Sequence, residues 1–368
     1  MNIAPYKMVL GVPGLKLLML IGLLARIPAT AAGMAITLHV LTSLGLGYGE
    51  AGVAGALGMI GAGIGSPFLG RMVDRVGLRP VLIVTTAAQA VYWSIAPQLS
   101  FPFLVALGFV NGLLSIPIFG VMRQFMAALV PVEQRRSAFA LDSMAVELSY
   151  MVGPAAAVAA VTAFNSHVTM YAVGIGLAVA GLALIVLNPP TQSAEEEAQA
   201  SASGAIRIPR RQWITPALVT LLAVTAATTF ILSATELSVV AVLNNGGATQ
   251  WTGLVIGLWC AYSLIGGFVY GALRRAASPL LLVGVMGALT IPLGLVGGGW
   301  WWLTLALIPC GVLCAPSLAS TVDTVSQWVP ASVRGEAMGL HGTALTIGIA
   351  VGAPTAGAII DAYGPGWG

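Results

Sequence analysis

Charged residues are scarce in this sequence. Asp, Glu, Lys and Arg make up 7% of its 368 residues and hydrophobic residues 58%, whereas a soluble domain carries about 25% charged residues. Lysine occurs twice, against thirteen arginines, and alanine and glycine are abundant, a usage typical of a chain from a high-GC bacterium. So little charge excludes a water-soluble globular domain.

The sequence also lacks the residue patterns of enzymes and metal sites. Its three cysteines, Cys260, Cys310 and Cys314, lie in apolar runs, where cysteine acts as a small buried hydrophobic side chain. No His-Glu-x-x-His motif, phosphate-binding loop or nucleophile triad is present, and the basic residues are spread among turns. We therefore expect no enzymatic activity, no metal, no cofactor and no nucleic-acid partner.

Long apolar runs fill most of the chain. A membrane-spanning helix needs about 20 apolar residues, and the sequence holds eleven such runs separated by short polar turns. We place them at 15–43, 50–70, 79–97, 101–130, 136–163, 168–188, 213–243, 251–273, 279–297, 300–328 and 335–361. The sequence therefore predicts an all-α polytopic membrane protein.

Basic residues mark one side of this array of helices. Cytoplasmic turns are enriched in Lys and Arg, and a cytoplasmic N-terminus puts thirteen of the fifteen basic residues on that side. These are Lys7, Lys16, Arg71, Arg75, Arg79, Arg135, Arg136, Arg207, Arg210, Arg211, Arg274, Arg275 and Arg334. The other two, Arg26 and Arg123, lie inside spans. The pattern predicts a multi-pass protein of the bacterial inner (plasma) membrane with its N-terminus in the cytoplasm.

One long polar stretch divides the chain. Residues 189–212 combine prolines, serines and a run of three glutamates with an arginine-rich end, which is typical of a flexible linker that ends in an interfacial basic patch. We therefore predict an N-terminal six-helix bundle at 1–188, a cytoplasmic linker at 189–212 and a C-terminal bundle of five helices at 213–368.

An internal repeat supports this division. Six residues recur 199 positions later in the chain. The first set is Val130, Pro131, Arg135, Ala138, Leu141 and Gly153, and the second set is Val329, Pro330, Arg334, Ala337, Leu340 and Gly352. Two related halves around a central cavity are the organisation expected of a secondary transporter.

A polar island between the second and third runs carries the clearest motif. It reads Gly-Arg-Met-Val-Asp-Arg-Val-Gly-Leu-Arg-Pro and includes Gly70, Asp74, Arg75, Gly77 and Arg79. After two long apolar runs, this order resembles the signature between the second and third helices of the major facilitator superfamily of transporters. The resemblance implies two pseudo-symmetric helix bundles. Since the usual form has twelve helices, we expect that the twelfth is absent from this sequence.

The resemblance also implies roles for particular residues. Asp74 would bind the start of the eleventh helix and close the cytoplasmic gate, which agrees with the affinity of a carboxylate for a helix N-terminus; otherwise it is a topology anchor. Gly153 and Pro154 are similar to the core of a motif in bacterial drug:proton antiporters. The flanking glycines of that motif are replaced here, and the early part of span four lacks the arginine usual in those antiporters.

Seven ionisable residues lie inside predicted spans: Arg26, Arg123, Asp142, Glu147, Glu236, Asp323 and His341. A charge at mid-bilayer costs ~2.5–3.5 kcal/mol on insertion scales, so each is a candidate functional residue or part of a structural ion pair. From depth along the helices we expect Arg123 to reach Asp142 or Glu147.

Three further placements follow from the same depths. Arg26 lies at the depth of Glu147 and is its expected partner. Asp323 lies at nearly the depth of His341, which follows Asp142 by 199 residues in the repeat. An Asp–His pair can change protonation between pH 5 and 8. Glu236 has no basic residue at its depth and ranks first among the proton-coupling candidates, which are Glu236, Asp323, His341, Asp142 and Glu147.

The expected function is secondary active transport by alternating access. We favour proton-coupled efflux of a small amphipathic molecule, with the substrate, protons and the lipid bilayer as partners and the monomer as the working unit. Proton-coupled uptake of a sugar or other metabolite is the first alternative. A non-transporting membrane receptor with the same fold is the second, although the Asp74 turn and the intramembrane carboxylates argue against it.

Overall fold

A computed structural model describes residues 4–193, 196, 198, 209–273, 277–295 and 299–367. These residues form helices joined by short turns, and the described part of the chain contains no strand. The first eight helices are α1 (Ala4–Leu10), α2 (Leu15–Thr42), α3 (Tyr48–Val76), α4 (Leu78–Ile95), α5 (Phe101–Leu113), α6 (Ile118–Leu129), α7 (Val132–Ala163) and α8 (Ser166–Leu187).

Seven further helices follow the polar stretch. They are α9 (Arg210–Trp213), α10 (Pro216–Asn245), α11 (Thr252–Ala272), α12 (Pro279–Thr290), α13 (Trp300–Ala306), α14 (Ile308–Trp328) and α15 (Arg334–Tyr363). Much of the predicted linker, together with Arg207, Arg274 and Arg275, lies outside the described residues.

Local sequence explains several helix boundaries. Asn165, Thr215 and Ser278 begin α8, α10 and α12 by accepting a hydrogen bond from the amide three residues later, at 2.8, 3.2 and 3.2 Å. Short polar side chains do this because the first amides of a helix have no partner within it. Gly77 separates α3 from α4 with a φ of 88°, a conformation that favours glycine.

Nine stretches of the described chain, rather than the eleven predicted, are long and apolar enough to cross a membrane. The two exceptions are α4 and α12. Helix α4 has 18 residues and includes the polar Arg79 and Gln89. Helix α12 passes into a 3-10 turn at Ile291–Leu295, because Pro292 cannot donate the hydrogen bond that continues an α-helix.

The spans predicted at 101–130 and 300–328 are each interrupted. The first consists of α5 and α6, separated by residues 114–117, and the second of α13 and α14, which meet at Leu307. Pro117 and Pro309 stand at the two breaks, where proline removes a backbone donor. In the repeat, Pro117 corresponds to Pro316, which lies inside α14, so the two breaks stand at different places in the two halves.

Helix packing follows a twofold pattern. In the first half α2 packs on α7 and α3 on α5; in the second half α10 packs on α15 and α11 on α14. The halves meet along a seam formed by α3 against α15 and by α7 against α11. Each seam contact is the counterpart of the other, which gives two pseudo-symmetric bundles.

One end of the bundle carries most of the described arginines, and we call it the basic face. It is defined by Arg71, Arg75, Arg79, Arg135, Arg136, Arg210, Arg211 and Arg334. Helix α1 lies here, and its Tyr6 hydroxyl donates to the Phe268 carbonyl of α11 while the two rings stack 4.8 Å apart. Burial raises the pKa of Tyr6 to about 12, so the hydroxyl remains a neutral donor.

Candidate functional site

Two buried arginines share one carboxylate in the first half. Arg26 Nη2 on α2 lies 2.5 Å from Asp142 Oδ1 on α7, and Arg123 Nε on α6 lies 3.6 Å from Asp142 Oδ2. All three side chains are almost completely buried. Because one negative charge faces two positive charges, this cluster keeps an excess of positive charge.

The cluster continues across the seam to His341 on α15. Arg123 Nη1 lies 3.0 Å from His341 Nδ1, and His341 Nε2 lies 3.0 Å from the Thr321 hydroxyl on α14. Arginine can only donate hydrogen bonds, so Nδ1 accepts and the imidazole is neutral. The Nε2–H group then donates a hydrogen bond to the Thr321 hydroxyl, which in turn donates to the Leu318 carbonyl.

The expected contact between Arg123 and Asp142 is therefore present, whereas the expected pairing of Arg26 with Glu147 is wrong. Glu147 lies five residues after Asp142, about 140° round the helix at 3.6 residues per turn. Asp142 faces α2 and α6, and Glu147 faces α11.

Glu147 instead joins the two halves through a serine. The Ser263 hydroxyl on α11 donates to Glu147 Oε1 and accepts a hydrogen bond of 3.0 Å from the Ala315 amide. Glu147 Oε2 is buried and has no hydrogen-bond partner among the described residues. One half of the protein thus holds a carboxyl group whose position depends on the other half.

Asp323 does not pair with His341 as expected. Its Oδ1 accepts a 2.9 Å hydrogen bond from Gln327 Nε2 on the same helix. Thr321 lies two residues earlier, about 200° round α14, and is the α14 side chain that faces His341.

Glu236 on α10 is exposed. It has no ion-pair partner among the described residues, whose salt bridges involve other carboxylates. Glu236 and Glu147 are thus two carboxyl groups without basic partners among the described residues.

At the basic face, Asp74 binds the beginning of α15. Its Oδ1 and Oδ2 accept hydrogen bonds of 2.8 Å each from the amides of Gly335 and Glu336. A β-carbon on Gly335 would overlap Asp74 and the Gly70 carbonyl, so the two helices approach closely because both positions are glycine. The gating role of Asp74 that the resemblance implies remains a prediction.

Further ion pairs surround this contact. The Glu336 carboxylate lies 3.6 Å from Arg71 Nε and accepts a 2.7 Å hydrogen bond from Arg210 Nε. Arg334 donates to both oxygens of Glu196, at 2.7 and 3.2 Å. Burial tends to raise the pKa of Glu196, but the hydrogen bonds from Arg334 and Ser193 hold it below its ordinary value.

The other residues of the two motifs have structural surroundings. Arg75 and Arg79 are exposed beside the Gly77 turn. Gly153 lies against α2, where a β-carbon would overlap Thr30 and the backbone of the helix, and Pro154 follows it in α7. Gly153 and Pro154 are therefore part of the packing inside the first half.

The seam is closed at the basic face and is also bridged at mid-depth. Near the basic face, Ser137 donates to the Gly271 carbonyl at 2.5 Å. At mid-depth, Thr343 donates to the Gly63 carbonyl at 2.6 Å, and Ser263 donates to Glu147. Hydrogen bonds thus join the two halves through both pairs of seam helices, α3 with α15 and α7 with α11.

The sequence profile of the Major Facilitator Superfamily matches residues 18–322. The chain belongs to the major facilitator superfamily. Members of this superfamily are membrane transporters, and the multi-pass arrangement of apolar helices agrees with that assignment. No curated protein matches the sequence.

Solved structures show the same superfamily fold. The human organic anion transporter MFSD10 has 16% identity and a TM-score of 0.73, over 96% of this chain and 94% of that protein. The proton:xylose symporter XylE, bound to 6-bromo-6-deoxy-D-glucose, has 12% identity and a TM-score of 0.69, over 96% and 91%. A bacterial homologue of the iron transporter ferroportin, outward-facing with soaked iron, has 14% identity and a TM-score of 0.73, over 94% and 92%.

Sequence reasoning missed several partners of the key residues in this superfamily member. Ser263 and Thr321 complete the contacts of Glu147 and His341, and Tyr6 and Glu336 strengthen the closed basic face. Serine and threonine are frequent in apolar helices, so neither stood out. Glu336 lies two residues after the repeated Arg334, which is the signal that could have identified it.

Proposed function

We propose that this superfamily member is a secondary active transporter that exports a small amphipathic molecule across the bacterial inner membrane in exchange for protons. The hydrogen bond between Glu147 and Ser263 carries the proposal, because it joins a titratable group of one half to the other half.

Glu147 suits proton coupling because its surroundings supply few hydrogen bonds. Ser263 satisfies one carboxyl oxygen, and the other is buried without a partner. An uncompensated buried charge is costly. The free energy of this contact therefore depends on whether the Glu147 carboxyl group carries a proton. When the halves separate at this level, the bond to Ser263 is lost and water replaces it. Proton binding and movement of the seam are thereby linked.

We propose that Glu236 supports the same function. It is exposed and lacks a basic partner among the described residues. In this proposal it exchanges protons with the substrate site and contributes to substrate binding. A site that combines apolar helices with carboxyl groups fits an amphipathic molecule.

The hydrogen bonds and ion pairs at the basic face support the proposal of an outward-facing state. We propose that the basic face is cytoplasmic, since positive residues concentrate there. Asp74 with α15 would then form a closed inner gate, and the substrate site would open outward. Rocking of the two halves about the seam would expose the same site to the cytoplasm.

Flux measurements in membrane vesicles test this proposal. With purified protein in inverted vesicles, an acidic interior should drive accumulation of the exported compound from a panel of labelled amphipathic molecules. Glu147→Gln should abolish this pH-driven flux and retain substrate binding, and Glu236→Gln should act in the same direction. The control is Glu50→Gln, since Glu50 accepts only from the Gly47 amide at an exposed helix start.

Each outcome has a distinct meaning. Accumulation driven by external acid in right-side-out vesicles would indicate uptake of the compound and overturn export. Binding without gradient-dependent flux would favour a receptor. Full coupled transport by Glu147→Gln would remove Glu147 from the mechanism.

A further inference from the structure

We infer that Arg123 and His341 form a latch across the seam that a proton on His341 releases. This seam latch is defined by Arg123 on α6, His341 on α15 and Thr321 on α14. The inference rests on the proposed proton-coupled transport and adds to it the residue pair through which protonation opens the basic face.

The hydrogen bonds of His341 require the neutral ring. Nδ1 accepts from Arg123 and Nε2 donates to Thr321, each at 3.0 Å. A protonated imidazole has two donors and no acceptor, so its bond with Arg123 cannot persist. Two positive groups would then face each other where His341 is fully buried and Arg123 nearly so. A buried charge without a counter-charge is strongly unfavourable.

No nearby anion offsets this repulsion. Helices α3, α6, α10 and α14 pack against α15, and none of the described carboxylates on them or on α15 contacts the imidazole. Their charged, cysteine and histidine residues are Glu50, Arg71, Asp74 and Arg75 on α3, Arg123 on α6, Glu236 on α10, Cys310, Cys314 and Asp323 on α14, and Arg334, Glu336, His341 and Asp361 on α15. The neighbouring Asp142 already faces both Arg26 and Arg123.

The repeat explains why one side of the latch can switch. Asp142 and His341 occupy equivalent positions 199 residues apart, and Arg123 lies between them. Asp142 holds Arg123 through an ion pair within the first half. His341 holds it through a lone pair that a proton removes. Release of the latch therefore leaves Arg123 with its own half and frees the second half.

Proton binding and closure at this level exclude each other, so a lower pH shifts the population toward the open basic face. An exposed histidine titrates near pH 6.5. Lowering the pH from about 8 to about 5.5 should then reduce the ratio of closed to open protein about tenfold.

Distance measurements between spin labels test the latch without substrate. The labels are placed on the full chain through Val76→Cys and Trp328→Cys, at exposed sites on the basic face, one on each half, with Cys260, Cys310 and Cys314 replaced by Ala. We expect a short distance at high pH and a growing population of long distances at low pH. An unchanged distribution in this parent protein would overturn the latch.

His341→Gln separates a switch from a structural contact. Glutamine can accept from Arg123 and donate to Thr321 but cannot gain a proton, so the short distance should persist at both pH values. The matched control is His39→Gln, since His39 is equally buried but bonds to Ser166 within the first half, at 2.9 Å. This control should keep the pH dependence of the parent protein.

A second variant keeps the test decisive if His341→Gln does not fold. Arg123→Gln leaves the Arg26–Asp142 pair intact and removes the like charge, so the tenfold response should largely disappear. A full pH response in either His341→Gln or Arg123→Gln would refute the latch. Since the assay uses neither substrate nor a gradient, a protein that passes it but shows no proton-driven flux would refute the proposed export and leave the latch standing.

Discussion

Asp142 holds two buried guanidinium groups through a single carboxylate. Arg26 and Arg123 approach its two oxygens at 2.5 and 3.6 Å from different helices. The arrangement connects α2, α6 and α7, and through His341 it reaches the second half. Because the Asp142 cluster connects four helices, we expect Asp142 to affect both stability and transport.

Replacement of Asp142 by Asn should destabilise the protein strongly. The two arginines would keep their charges without a counter-charge, and removal of one partner of a buried pair costs about 3–5 kcal/mol. Thermal unfolding of the detergent-purified protein should show a clear drop in Tm. Glu236→Gln is the control, since no described ion pair is lost there. An unchanged Tm for Asp142→Asn would mean that the arginines find other partners.

The crossing of α3 and α15 closes the basic face through backbone contact. Gly70 and Gly335 allow the approach, and Asp74 then reaches two amides at the start of α15 at 2.8 Å. These amides are free because they lie in the first turn of the helix. A helix pair that meets at two glycines has little tolerance for any added side-chain atom.

Gly335→Ala should therefore open the basic face. The added β-carbon would overlap Asp74 and the Gly70 carbonyl, and backbone atoms cannot move aside independently. A cysteine introduced at the buried Ser137, which lies in the seam near Gly271, should then react faster with a thiol reagent.

Gly284→Ala is the matched control for this experiment. A β-carbon there meets no atom within 4 Å, and alanine favours a helix over glycine by up to about 1 kcal/mol. The reactivity at position 137 should stay unchanged. Equal labelling rates in both glycine variants would contradict the close approach of α3 and α15.

The whole molecule has two unlike faces, one rich in arginine and one where the described residues include no lysine or arginine. If the basic face is cytoplasmic, single cysteines at Arg75 and Arg211 should react with a membrane-impermeant reagent only in inverted vesicles. Cysteines at Phe164 and Trp251, which are exposed at the opposite face, should react in intact cells. The reverse pattern would invert the proposed orientation and with it the proposed direction of transport.

Several properties of this protein could be determined from sequence alone because they depend on local chemistry. Apolar length indicates membrane helices, and the insertion cost of charge singles out residues such as Asp142 and His341. The 199-residue repeat and the Asp74 motif predicted the superfamily that the sequence profile shows. The number of spans depends on more than apolar length, since Pro292 shortens one helix and Arg79 makes another more polar.

Only the tertiary structure decided which buried groups meet. Depth along a helix can be read from residue number, so Arg26 and Glu147, or Asp323 and His341, looked like partners. Contact also depends on rotation about the helix axis and on which neighbour packs there. Those are set by the packing of the whole bundle, which turns Glu147 toward Ser263 and His341 toward Arg123.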